Sequence, residues 1–200
     1  LPIQVLAGVM AVLSCYTYIA ARSQAKIVSD APKAEKKTLT FGVIIKQPVF
    51  MFMALLAFGY GAVEFGNANW FVSYAQNGIG FTGEQSRNLL ACFTAGMVIS
   101  RLVFPFLLRF LSVHRLIMFM ATTSLIGVFV LKIMPSFYGI GAGNLLLGLG
   151  LGGLFPLMLS AAMNIDSDNG PVLSGIAIIG NSTGVQVASF STGLWANFAP

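Results

Sequence analysis

Charged residues leave whole stretches of about 20 positions empty in this 200-residue chain, and no other feature limits its fold so strongly. A run of that length is what an α-helix needs to cross a hydrocarbon core about 30 Å thick. Reading from charge to charge gives runs over Leu1–Ala20, Val49–Tyr74, Asn88–Leu108, Leu116–Met134, Ser136–Met163 and Val172–Trp195. Composition agrees: 56 % of residues are apolar and 8 % charged, against roughly 25 % charged in soluble domains. Mean hydropathy is +0.84. Backbone groups in lipid must find partners within their own segment, and these runs lack the alternation of a membrane β-strand. The expected fold is an all-α membrane protein with six transmembrane helices in view.

The basic residues set the expected orientation. The connection over residues 21–47 carries Arg22, Lys26, Lys33, Lys36, Lys37 and Lys46 against Asp30 and Glu35, so the positive-inside rule puts it in the cytoplasm. The turn holding Arg109 and Arg115 then also lies inside, while the turns beside Arg87 and Lys132 lie outside. The last inner loop, residues 164–171, carries Asp166 and Asp168 without the later ligands of a calcium loop. Because the basic residues flank apolar runs, the net charge of +5 reads as topology and not as a nucleic-acid surface. Cys15 and Cys92 sit within apolar runs and give no disulfide framework. The chain opens inside an apolar run with no basic leader, which reads as a piece of a longer protein.

Three segments resemble a known family. The inner connection Ser100-Arg101-Leu-Val-Phe-Pro-Phe-Leu-Leu-Arg109-Phe-Leu-Ser-Val-His114-Arg115-Leu116 places three basic positions where the major facilitator superfamily has them in its helix eight to nine connection. Ser100, Pro105 and Ser112 stand where many relatives have glycine. Tyr60-Gly-Ala-Val-Glu64-Phe-Gly-Asn67-Ala-Asn-Trp70 and Gly148-Leu-Gly-Leu-Gly-Gly-Leu-Phe155-Pro156 are similar to the branch containing fucose permease and sodium-glucose-like facilitators. The resemblance implies a twelve-helix bundle of which helices six to eleven are present. Residues 1–20 would close the N-terminal half, 21–47 would be the cytoplasmic central loop and 48–200 the C-terminal half without its final helix. It further implies a substrate site completed by the missing N-terminal half, and gating contacts made by Arg101, Arg109 and Arg115.

Glu64 is the only acidic residue inside a run. A carboxylate in the membrane costs several kcal/mol unless it is neutral, paired or facing water, which makes it a functional candidate by default. With about 100° between successive helical residues, Tyr60, Glu64, Asn67 and Phe71 fall on one stripe. Aromatic faces beside amide and carboxylate groups suit a hydroxylated ligand such as a sugar. Asn144 serves either a ligand or an interhelical hydrogen bond, the latter being the commoner role. Asn181 shares a face with Ser174, Gly184, Ala188 and Thr192, whereas Trp70 and Asn69 point away from the Glu64 stripe. The Gly139/Gly143 and Gly148/Gly152 pairs permit close helix approach, and Pro156 favours a kink that could also serve gating.

No zinc spacing, nucleophile triad or phosphate loop occurs in the sequence, so neither an enzyme nor a bound cofactor is expected. The function expected is secondary or facilitated transport of a small hydrophilic solute, a sugar by preference, with a proton or sodium ion as the open coupling choices. The alternative is a membrane receptor or scaffold that binds without turnover. Its partners would be the lipid bilayer and the solute, not nucleic acid, and its location a plasma or inner membrane. The orientation has a direct check: with Cys15 and Cys92 replaced by serine, single cysteines at Lys36 and Ser112 should react with an impermeant maleimide only from the cytoplasmic side. Labelling of either from outside overturns it.

Overall fold

A computed structural model of the chain describes residues 48–165 and 169–198, so the expected first span, the basic 21–47 connection and the Asp166/Asp168 turn lie outside the described residues. All regular structure among them is helical: α1 (Pro48–Tyr74) continued by a π-helical turn (Ala75–Ile79), α2 (Gly83–Leu107), α3 (Val113–Ile133), α4 (Phe137–Gly152), α5 (Leu154–Ile165) and α6 (Gly170–Phe198). Five stretches are long and apolar enough to cross a membrane, with α4 and α5 sharing one of them, so these residues form a multi-pass membrane bundle.

Local chemistry explains why several boundaries differ from those expected. The π-helical turn carries α1 on to Ile79, where Gly80 at φ 89° takes the left-handed conformation that closes helices. α2 starts at Gly83 and not near Asn88, because Thr82 and Gln85 form a reciprocal capping box. Ser136 caps α4 by accepting a hydrogen bond from the Gly139 amide. Pro48 opens α1, a position where a missing N–H costs nothing.

The expected single span Ser136–Met163 is broken at Gly153, between α4 and α5. The break lies one turn ahead of Pro156, as proline chemistry requires: the missing N–H at position 156 would have bonded the carbonyl of Gly152, four residues back.

α4 is the central helix. Its span is 56 % buried, against 17–28 % for the others. The helices divide into two closely packed groups: α1 lies along α6, and α2 and α3 both lie along α4. α1 and α2 touch only sparsely, while α5 contacts members of both groups. Within each group the backbones approach closely because glycine lines the contact. A Cβ on Gly148 would run into the Phe93 carbonyl of α2, and one on Gly184 into the Phe58 carbonyl of α1. Gly152 likewise leaves room for Ser100, which is buried against it. The expected pairing role fails for Gly139, whose nearest neighbours are Met134 and Ser136 in its own connecting turn, so this glycine shapes a turn. Gly143 does face another helix, through Leu131.

Between the groups the contacts are made by side chains. Phe50, Met53, Ala57 and Tyr60 from α1 share a core with Phe93, Leu147, Leu151 and Leu157. Alanine at Gly148 or Gly184 should therefore lower stability in detergent by about 1–3 kcal/mol, the usual cost of overpacking. Alanine at Gly59 or Gly175, where a Cβ would meet nothing within 4 Å, should leave stability unchanged or raise it by up to about 1 kcal/mol, the helix-propensity gain. Equal effects at all four positions would contradict the packing described.

Candidate functional site

Glu64 lies fourteen residues from Phe50 and fifteen from Ile79, so it marks the middle of the Phe50–Ile79 span. Its side chain is 14 % exposed. The Tyr60 hydroxyl, one turn earlier on the same helix, lies close enough to the carboxylate to interact with it. Tyr60 is itself buried and its ring packs against Phe155 of α5, with centroids 5.3 Å apart.

The cation facing this carboxylate comes from α2. Arg101 Nη2 stands 3.9 Å from Glu64 Oε1, and the Arg101 side chain is 58 % exposed. The separation exceeds a hydrogen bond, so the attraction is electrostatic. The same guanidinium makes a direct bond elsewhere: Nε donates to the Gly152 carbonyl at 3.1 Å. That carbonyl is the one Pro156 deprives of its helical donor. In a bilayer such an orphan would go unsatisfied, and here a side chain from another helix satisfies it.

A second polar contact crosses the bundle one turn further along α1. Asn67 Nδ2 donates to Asn144 Oδ1 at 3.2 Å, and Asn144 is wholly buried. Of the two roles open to Asn144, the structure displays the interhelical bond. Asn144 Nδ2 and the buried Ser100 and Asn181 side-chain oxygens make no hydrogen bond among the described residues.

The expected stripe is thus only partly brought together. Tyr60, Glu64 and Asn67 face polar or aromatic partners on α2, α4 and α5. Phe71 is buried with Ala75, Leu89 and Ile140, and it also lines a cavity together with Asn67. Asn181 sits where α6 crosses α1, with Oδ1 and its own carbonyl directed at the Cα of Gly61. Trp70 shares with Asn67, Tyr74, Lys132 and Thr192 a cavity of about 710 Å³. Among the three expected gating arginines, Arg101 alone reaches the site. Arg109 lies over the Phe106 ring at 5.7 Å, and Arg115 is exposed in the first turn of α3.

Sequence reasoning missed two partners, Phe155 and the Gly152 carbonyl. The signal for the second was present, since any proline inside a helix points four residues back to a carbonyl in need of a donor. No group of three His, Cys, Asp or Glu side chains suited to a metal occurs among the described residues. Comparison with protein-family models, curated proteins and solved structures finds no match to the chain.

The Asn67–Asn144 bond predicts a measurable coupling. In a double-mutant cycle of Asn67→Ala and Asn144→Ala, unfolding in micelles should show a coupling of about 0.6 kcal/mol and at most about 1.7, the average and upper value for hydrogen bonds between membrane helices. A coupling indistinguishable from zero would mean that the two amides do not bond.

Proposed function

We propose that this chain is the central and C-terminal part of a major facilitator superfamily transporter that moves a small hydrophilic solute, a sugar by preference, by alternating access. The observation that carries the reading is a mid-span carboxylate kept within a polar set, Tyr60, Asn67, Asn144 and Arg101, inside an otherwise apolar bundle. Intramembrane ionisable groups of this kind mark substrate or ion pathways. Secondary transporters place their sites near the bilayer midplane, often beside broken helices whose freed backbone groups line the path. The α4–α5 break lies beside Arg101 and Tyr60, in keeping with that pattern.

In this reading six helices of the chain cross the membrane, the 21–47 connection is cytoplasmic, and a second half completes the site. Glu64 is the group that exchanges between substrate, a coupling proton or sodium ion, and Arg101. Tyr60 and Asn67 supply hydroxyl and amide contacts to a sugar.

The test is Glu64→Gln in the full-length protein, reconstituted in liposomes. If Glu64 couples an ion, counterflow exchange should persist while accumulation against a gradient falls at least about tenfold. If it holds substrate, both should fall. Unchanged KM, rate and ion dependence in correctly folded protein would refute the role of Glu64. Saturable binding by the wild type with no counterflow would favour a receptor.

A further inference from the structure

Arg101 occupies a place in the bundle that no other charged side chain among the described residues shares. It belongs to the α2–α3–α4 group, yet its Nη2 faces Glu64 on α1, in the other group. Its Nε holds the Gly152 carbonyl at the α4–α5 break, and α5 is the helix that touches both groups. The two groups are each locked internally by close backbone contact, whereas they meet through side chains. Relative movement is therefore cheapest between the groups.

We infer that Arg101 is a latch: through Nε it fixes the break that Pro156 creates, and through Nη2 it holds the α1–α6 pair to the α2–α3–α4 group for as long as Glu64 keeps its charge available. When a coupling ion or a ligand takes over Glu64, the charged tie across the groups is lost while the Asn67–Asn144 bond and the tie to Gly152 remain, and the α4–α5 break becomes the point about which the groups shift. Arg101 acts here as a positioning residue. The switching step rests on the transport reading of Glu64; the two-handed contact does not.

The two hands can be separated in the full-length protein in lipid nanodiscs by two readouts, neither of which involves transport. One is amide hydrogen exchange over residues 153–158, and the other is the distance distribution between spin labels at Phe52 on α1 and Met118 on α3, both exposed positions. Arg101→Gln should speed exchange at the break by about tenfold and broaden the distance distribution. Adding Pro156→Ala supplies the backbone N–H that Gly152 lacks, so the double variant should recover slow exchange and keep the broadened distances. Glu64→Gln should do the converse, broadening the distances with exchange at the break unchanged. Arg101→Lys, which retains the charge without the Nε donor, should stay near wild type in distance and lose protection at the break. That variant also serves where Arg101→Gln does not fold. If Pro156→Ala fails to restore protection, the carbonyl hand is wrong; if Glu64→Gln leaves the distances at wild type, the latch is wrong. Either outcome is independent of whether Glu64→Gln still transports.

Discussion

A carbonyl without its helical donor organises the middle of this bundle. Water can satisfy such a group in a soluble protein, but in hydrocarbon the only remedy is another protein group. Pro156 creates the orphan at Gly152, and the Arg101 Nε–H answers it from a different helix. The requirement also explains how a cation rests this deep. Arg101 lies six residues from Leu107, the end of α2, about 9 Å along the helix, and its charge is met by a carbonyl dipole and by Glu64 instead of by water alone.

Two kinds of contact divide the work of assembly. Lipid tails are as apolar as leucine, so helices gain little from hiding apolar surface on one another and rely on close packing and polar bonds. Close packing is concentrated inside the α1–α6 pair and the α2–α3–α4 group, where glycines such as Gly184 and Gly148 let one backbone rest on the next. The polar bonds cross between the groups, as Asn67 to Asn144 and Arg101 towards Glu64. Close backbone contacts within the groups and specific polar ones between them are the arrangement that the proposed alternating access calls for.

The sequence discloses far more of the fold than of the site. Spans were legible because a charge inside hydrocarbon is expensive, so the gaps between charges trace the bilayer directly. Their ends were less so: a hydropathy run begins at Asn88, but the helix begins where Thr82 and Gln85 can satisfy its first amides, and that signal is carried by two polar residues outside the run. Among site residues, Glu64, Tyr60 and Asn67 were identifiable from cost and helical spacing. Phe71 obeys the same spacing and is buried against Leu89 and Ile140 as well as lining the cavity beside Asn67, because helical phase says which residues share a face and not what lies opposite. The surroundings of Asn181 were likewise not legible, since its place is decided by the crossing of α6 over Gly61. The pairing of Arg101 with positions 64 and 152 joins three helices: Pro156 marks the Gly152 carbonyl as wanting a donor, but no local pattern names Arg101 as that donor.

The strength of the Glu64–Arg101 contact bears on the role proposed for it. A close, fully buried pair would be costly to break, because separating it strands two charges in a medium of low dielectric. At 3.9 Å, with Arg101 more than half exposed, the pair attracts without being bonded, and the arginine keeps its firmer contact at Gly152 when the pair opens. Glu64 is not stranded either, because the Tyr60 hydroxyl remains on the same helix whichever way the groups shift. Each charge thus has one partner that stays and one that can leave. In the proposed transport role, that division would let a mid-membrane carboxylate change hands between protein and solute at modest cost, which a single strong salt bridge at the same depth would prevent.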